Sequence, residues 1–236
     1  MTGMRPGGIE CRLAVVFLDG EYRDPGWHRA LAARADILLA ADGGARYLIG
    51  LGATPEAVVG DFDSLDEETA EKLGAAGVEL LRHPVRKDVT DGELAVDEAV
   101  RRGAGEVLLA GATGALDHTL GHLAILRRLA TRGIAARLVA PDLSATVLIA
   151  PDAVALDAPT GARVSLAPVG EAATVTLTGL DYPLDRGVLP PDACLGLGNH
   201  VTAAGDARVV LHEGTIVVLV DRGDESFRSL DSEGAE

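Results

Sequence analysis

The stretch Ala57-Val58-Val59-Gly60-Asp61-Phe62-Asp63-Ser64-Leu65-Asp66-Glu67 holds the pattern that the whole N-terminal half repeats. Its apolar run has the length of a short buried strand. Two aspartates, two residues apart, follow where such a strand would end. Ser64 and Glu67 then fit the S/T-x-x-E capping box that starts a helix. Strand, acid, helix start is the expected order, and it recurs outward in both directions. Apolar runs at 13–18, 37–41, 78–81, 107–110 and 136–140 read as further strands. Stretches at 27–34, 45–50, 67–73, 92–102 and 119–132 carry apolar residues at three-to-four spacing. Several end at a glycine suited to a helix stop, such as Gly50, Gly74, Gly103 or Gly133. This alternation predicts an α/β fold: a doubly wound, mostly parallel sheet with helices on both faces.

After about Ala140 the rhythm changes to short runs at 146–150, 163–166, 174–178, 208–212 and 215–220, separated by Pro, Gly and Asp. Strict alternation in Thr174-Val175-Thr176-Leu177-Thr178 predicts antiparallel strands, and the runs joined by Glu213-Gly214 predict a hairpin. The chain therefore divides into an α/β domain over 11–145 and an all-β domain over 146–222. The composition shift falls in the Pro- and Ala-rich stretch 150–160, and 223–236 form a polar, acidic tail expected to be disordered.

Composition bounds the partners. The 236 residues carry 36 acidic against 21 basic side chains, a net charge of −15, and the only lysines are Lys72 and Lys87. Such a field repels polyanions, so nucleic acid is not an expected partner. No apolar run approaches the roughly 18 residues of a membrane-crossing helix, and no secretory signal pattern opens the chain, so a cytoplasmic protein is expected. Two cysteines, Cys11 and Cys194, form neither a CxxC pair nor a disulfide framework. There is no GxxxxGK[ST] loop, no GxSxG elbow and no HExxH helix.

In open α/β sheets, ligands bind beyond the carboxyl ends of the strands. Here those ends are acidic: Asp42-Gly43-Gly44 after the second strand, Asp61 and Asp63 after the third, Asp88-Val89-Thr90-Asp91 beyond the fourth, and Gly111-Ala112-Thr113-Gly114-Ala115-Leu116-Asp117-His118 after the fifth. Carboxylates gathered about 4 Å apart repel by roughly 4 kcal/mol per pair at an effective dielectric near 20, which calls for a cation. All-oxygen ligands suit Mg²⁺, held by one or two carboxylates plus substrate phosphates. Asp61 and Asp63 precede the helix cap, so capping does not explain them. Ser64 and Thr90 fit plain capping boxes equally well, and Gly43 and Gly44 fit either a turn or a backbone approach to phosphate. Arg86 and Lys87 are a rare basic pair beside the acidic cluster.

Taken in order, Ala41-Asp42-Gly43-Gly44-Ala45, Gly60-Asp61-Phe62-Asp63-Ser64, Lys87-Asp88-Val89-Thr90-Asp91 and the segment from Gly111 through Asp117-His118-Thr119-Leu120 resemble the thiamine pyrophosphokinase (thiamine diphosphokinase) family. The later Thr178-Gly179-Leu180-Asp181-Tyr182-Pro183-Leu184 and Leu197-Gly198-Asn199 agree with it. The resemblance implies transfer of a diphosphoryl group from Mg-ATP to the hydroxyl of thiamine, giving thiamine diphosphate and AMP. It also implies a nucleotide-binding, catalytic α/β domain over 11–145, a thiamine-binding and dimerisation β-sandwich over 146–222, and a homodimer with active sites at the subunit interface. Carried over, Asp61, Asp63 and Asp91 are the catalytic and metal-holding residues. Asp42, Gly43, Gly44, Ser64, Lys87, Asp88, Thr90, Thr113, Asp117 and His118 line the nucleotide, and Asn199 contributes near thiamine.

Two departures stand out. Where the family commonly reads Gly-Gly-Arg-x-Asp-His, the segment Gly114-Ala115-Leu116-Asp117-His118 is one residue shorter and lacks the arginine. The Asn common in the following helix is His122, and Ser-Asn-Glu has become Gly198-Asn199-His200. A related diphosphokinase acting on a 6-hydroxymethylpterin-type alcohol would change these same positions. A non-catalytic nucleotide-binding module of the same fold would also tolerate the lost arginine. An Asp-x-Asp after a strand occurs as well in haloacid-dehalogenase-like phosphatases and in Mn²⁺-dependent glycosyltransferases.

Overall fold

The computed structural model describes residues 11–62, 67–84 and 88–223. They divide into two compact units between Pro141 and Asp142. The first runs β1 (Arg12–Phe17), α1 (Pro25–Ala32), β2 (Ile37–Ala41), α2 (Gly44–Gly50), β3 (Ala57–Gly60), α3 (Glu67–Ala75), β4 (Glu79–Arg82), α4 (Asp91–Arg101), β5 (Ala104–Ala110), α5 (Leu116–Thr131) and β6 (Ala135–Val139). All six strands are parallel, side by side as β6-β5-β1-β2-β3-β4. The winding reverses at β1, whose neighbours are β2 and β5, and this switch point opens a crevice at the carboxyl ends.

Strand alternation sorts the side chains. Val15, Phe17, Ala40, Val58 and Leu108 meet Leu31 of α1, Leu48 of α2 and Leu73 of α3. Helix α4 lies against β1, β2, β3 and β5, and α5 against β6. Helices thus cover both faces, and β3, caught between them, is buried at every residue. Local signals start these helices where expected. Asp24 accepts from the Trp27 N–H at 2.9 Å with Pro25 in the first turn, and the Thr90 hydroxyl accepts from the Glu93 N–H at 3.1 Å.

The second unit consists of β7 (Leu143–Ile149), β8 (Asp152–Ala155), β9 (Arg163–Pro168), β10 (Ala173–Thr178), β11 (Leu184–Leu189), β12 (Asn199–His200), β13 (Arg208–Glu213) and β14 (Thr215–Asp221). Two antiparallel sheets, β12-β9-β14-β7 and β11-β10-β13-β8, face each other. Leu148, Val164, Leu166, Ile216 and Val218 from one sheet close on Val175, Leu177, Leu189, Val209 and Leu211 from the other. That is a β-sandwich.

The runs flanking Gly214 do not form the expected hairpin. β13 pairs in one sheet and β14 in the other, so Gly214 is where the chain changes sheets. It does so at φ +87°, and a side-chain carbon there would lie 2.7 Å from the Ala172 carbonyl oxygen, a position only glycine fills. The stretch 150–160 is likewise not a bare connection, because it contains β8.

At the amino ends of the first unit's strands, Arg102 gathers carboxylates. Its Nε donates to Glu98 at 2.6 Å, and its terminal nitrogens donate to Glu56, just before β3, and to Glu79, the first residue of β4. Arg101 donates to Glu98 as well, and these guanidinium bonds hold the Glu98 carboxyl below its usual range. Replacing Arg102 by Ala is expected to lower stability at pH 7 by about 1–2 kcal/mol. A carboxyl whose pKa is depressed in the folded state stabilises above its unfolded value and loses that contribution as pH falls through the folded one. The Glu98→Gln difference from wild type should therefore be full at pH 7, start to shrink near the ordinary glutamate value of 4.5 and vanish only below the depressed folded value, as read by urea unfolding across that range.

Candidate active site in the first unit

A cleft of about 640 Å³ opens at the switch point, lined by residues after β1 (Asp19, Gly20, Glu21), β2 (Asp42) and β5 (Gly111, Thr113), and by the starts of α4 (Thr90, Asp91) and α5 (His118). Its walls depend on close backbone approach. The segments after β1 and β5 are stitched by Leu18 N–H to Ala110 O (2.9 Å) and Glu21 N–H to Thr113 O (3.2 Å). A side-chain carbon at Gly20 would fall 1.9 Å from the Gly111 carbonyl oxygen, and one at Gly111 would strike the Tyr22 ring. Tyr22 in turn donates to the Leu18 carbonyl and stacks on Tyr47, ring centroids 3.7 Å apart. An aromatic buttress of Phe17, Tyr22, Trp27, His28 and Tyr47 underlies this side of the cleft.

The acidic residues meet on the other side. Asp42 adopts φ +41° at the end of β2, a left-handed conformation uncommon outside glycine. Its carboxyl is pushed up to about 7, first by burial, then by hydrogen bonding with Asp91 and by the charges of Asp91 and Asp61. One of its oxygens, Oδ1, is buried with no hydrogen-bond partner among the described residues. Gly60 makes room for it, since a side-chain carbon there would lie 2.0 Å from that atom. Arg82 of β4 donates to the Asp61 carbonyl at 3.2 Å and lies over the Phe62 ring, fixing the turn after β3.

The structure thus brings Asp42, Asp61 and Asp91 together, with Thr90, Thr113 and His118 around the same cleft. Asp117 sits in the first turn of α5, where its Oδ1 accepts from the His118 N–H at 2.9 Å, and it lines a second cavity beside the cleft. Asp88 is exposed in the segment leading to α4. Thr90 is the helix cap that its sequence pattern suggested and also faces the cleft. Gly43 and Gly44 owe their smallness to packing. Side-chain carbons there would meet the Asp19 carboxylate at 2.1 Å and the Phe17 carbonyl oxygen at 2.2 Å, so β2 and α2 can press against the end of β1. Asp63, Ser64, Arg86 and Lys87 lie outside the described residues. Asn199, in the second unit, is buried; it accepts from the Tyr182 and His200 N–H groups and donates to the Tyr182 carbonyl, so its amide shapes the 181–183 turn.

Sequence reading missed Asp19, Gly20 and Glu21. The signal was present, since Asp19-Gly20 repeats after β1 the acid-glycine pairing of Asp42-Gly43 after β2. For a divalent cation, the donor chemistry fits: the cluster is all carboxylate oxygen, one oxygen has no partner, and the repulsion demands neutralisation. Among the described residues no three His, Cys, Asp or Glu side chains already converge as ligands.

Fold and site together define a two-domain protein, a doubly wound α/β unit with an acid-lined cleft at its switch point followed by a β-sandwich. Residues 28–138 match the family model for the thiamin pyrophosphokinase catalytic domain, and residues 153–216 match that for the thiamin pyrophosphokinase vitamin B1 binding domain. The chain belongs to the thiamin pyrophosphokinase family. Thiamine pyrophosphokinase of Bacillus subtilis (strain 168) is 29% identical over 153 residues, 64% of this chain and 71% of that protein. The crystal structure of thiamin pyrophosphokinase from Geobacillus thermodenitrificans, 27% identical, matches with a TM-score of 0.74 over 91% of this chain and 99% of that one. The Bacillus subtilis crystal structure, 22% identical, shares the fold at a TM-score of 0.79 over 90% and 100% of the two chains.

The crowding of Asp42 has a measurable consequence. A carboxyl raised to about 7 in the folded protein loses stability as pH climbs from its ordinary 3.8 toward 7, because the unfolded chain ionises first. With chelator present, Asp42→Asn should therefore melt higher than wild type at pH 8, and the gain should shrink on acidification from 7 toward 4. A variant that melts lower than wild type at pH 8 would contradict the crowded carboxyl.

Proposed function

We infer that this chain is a thiamine diphosphokinase, moving a diphosphoryl group from ATP to the hydroxyl of thiamine and releasing AMP. The observation that carries this is the pair of family matches, catalytic domain then vitamin B1 binding domain, in the order of the two folded units. The acid cluster at the switch point is what such a reaction needs, because a triphosphate enters a protein of net charge −15 only beside a neutralising cation. We propose Mg²⁺ as that ion, with Asp61, Asp63 and Asp91 as the residues that would hold it. Bound there, a divalent ion supplies charge neutralisation and polarisation of the phosphoryl oxygens.

The chain's own residues supply the geometry. Asp42, with its unpartnered Oδ1, sets the charge of the cleft floor, and Gly60 gives it space. Thr90 fixes the start of α4 and so the position of Asp91. Thr113, Asp117 and His118 border the nucleotide in our reading, with Asp88, Gly43, Gly44, Ser64 and Lys87 around it. Asn199 holds the Tyr182 turn of the vitamin B1 binding domain for thiamine. We further propose a cytoplasmic homodimer with active sites at the subunit interface. Among the described residues no helix is long and apolar enough to cross a membrane.

The deciding experiment incubates the protein with ATP, Mg²⁺ and either thiamine or 6-hydroxymethylpterin and measures AMP. AMP with thiamine is expected. AMP with the pterin alcohol alone, or nucleotide binding without AMP, would overturn the reading. Asp61→Asn and Asp91→Asn should each lower turnover by about a hundredfold or more while melting within a few degrees of wild type.

A further inference from the structure

We propose that His122 accepts the proton of the hydroxyl that attacks the β-phosphorus, a role that rests on the diphosphokinase reading. His122 lies on α5, half-buried, with its Nδ1 2.8 Å from the Ala112 carbonyl oxygen. A carbonyl only accepts, so Nδ1 carries the hydrogen and the neutral ring keeps its lone pair on Nε2. Nε2 has no hydrogen-bond partner among the described residues and is not fully buried, and the residue lines the cleft. It stands over the first turn of α4, 3.8 Å from where a side-chain carbon on Gly92 would be.

His122 also lines the second cavity, of about 500 Å³, which Glu93, Asp117, Ile125 and Arg128 help to form. It stands with Thr90 and His118 on the wall common to both spaces. The groups facing it are His118 on its own helix, Asp91 and Glu93 on α4, and Asp19, Glu21 and Asp42 across the cleft. Arg128 is engaged by Glu93 and Asp97. Burial favours the neutral ring, lowering its pKa from 6.5.

Chemistry separates this histidine from its neighbours. A carboxylate serving a cation must stay anionic, so protonating it would weaken the cation's hold. His118 is exposed, whereas the His122 ring is anchored at one nitrogen and free at the other. In the step, the hydroxyl oxygen forms a bond to the β-phosphorus as its O–H bond breaks and the proton passes to Nε2. The bond from the β-phosphorus to the oxygen bridging to the α-phosphorus breaks, and AMP departs with that oxygen. The imidazolium then returns its proton to water.

The test uses the full-length protein and the His122→Asn, His122→Gln and His122→Ala variants, with melting temperature and Mg-ATP affinity as checks on folding. Turnover should fall about a hundredfold in all three, with KM for thiamine and ATP changed less than about threefold. Added imidazole should partly restore His122→Ala, increasingly so as pH rises and more of the free imidazole is neutral. In ¹⁵N-histidine spectra of wild type, His122 should show the Nδ1–H tautomer. Its Nε2 signal should move when thiamine, Mg²⁺ and a non-hydrolysable ATP analogue are added together. Wild-type turnover in a folded His122→Asn protein, loss of activity without rescue by imidazole, or the opposite tautomer would each overturn the assignment. Wild type yielding no AMP from thiamine would remove the diphosphokinase reading itself, and this role with it.

Discussion

Repulsion between carboxylates organises the first unit's chemistry. Parallel strands deliver their ends to one edge of the sheet, and in this chain those ends and the start of α4 carry Asp42, Asp61 and Asp91. At an effective dielectric near 20, two such charges about 4 Å apart cost roughly 4 kcal/mol, a large share of the stability of an ordinary domain. The protein meets that cost in the simplest way. It holds Asp42 with its carboxyl raised to about 7, half-buried and lacking a partner for Oδ1, and so prepares a site that gains when positive charge arrives. The acidic composition of the whole chain makes the arrangement stricter, because no lysine or arginine stands among the described residues that line the cleft.

The shape of the cleft follows from a second constraint, the absence of side chains where segments cross. Gly20 against the Gly111 carbonyl, Gly44 against the Phe17 carbonyl and Gly60 against Asp42 are contacts that a methyl group would destroy. They draw the connections after β1, β2, β3 and β5 into one rim. Behind that rim, the Tyr22 ring fills the space beside Gly111 and stacks on Tyr47, so this wall is closely packed. Preorganisation of this kind avoids an ordering cost at the moment of binding.

Much of this was legible in the sequence because parallel strands buried on both faces are written as continuous apolar runs. The expected strands at 37–41 and 57–60 coincide with β2 and β3, and the remaining strands of that unit differ only at their ends. The second unit was harder. β8 is mostly exposed and only four residues long, half of β11 is exposed, and β12 has only two residues, so periodicity had little to show. The hairpin expected at Gly214 failed for a different reason. A glycine between two apolar runs signals a reversal, yet whether the second run pairs with the first or crosses to another sheet depends on distant strands β7, β9 and β10. In the site, the aspartates were readable from their position after strands. The reasons for Gly43 and Gly44 were not, since the atoms they accommodate come from β1 and the residue pair beyond it.

Stability and chemistry occupy opposite ends of the same sheet. At the amino ends, Arg102 binds Glu56, Glu79 and Glu98, joining α4 to the entrances of β3 and β4 through charge-assisted bonds with every acid partnered. At the carboxyl ends, the acids are left crowded, and Arg82 among the described residues is directed to a backbone carbonyl and an aromatic face. Helix α4 links the two regimes: its last turn is pinned by Glu98 and its neighbouring arginines, and its first turn presents Thr90 and Asp91 to the cleft. A helix anchored so firmly at one end can hold an electrostatically unfavourable residue at the other without drifting away from it. The arginine clamp thus ties α4, whose first residue is Asp91, to the sheet at the end opposite the carboxylate cluster.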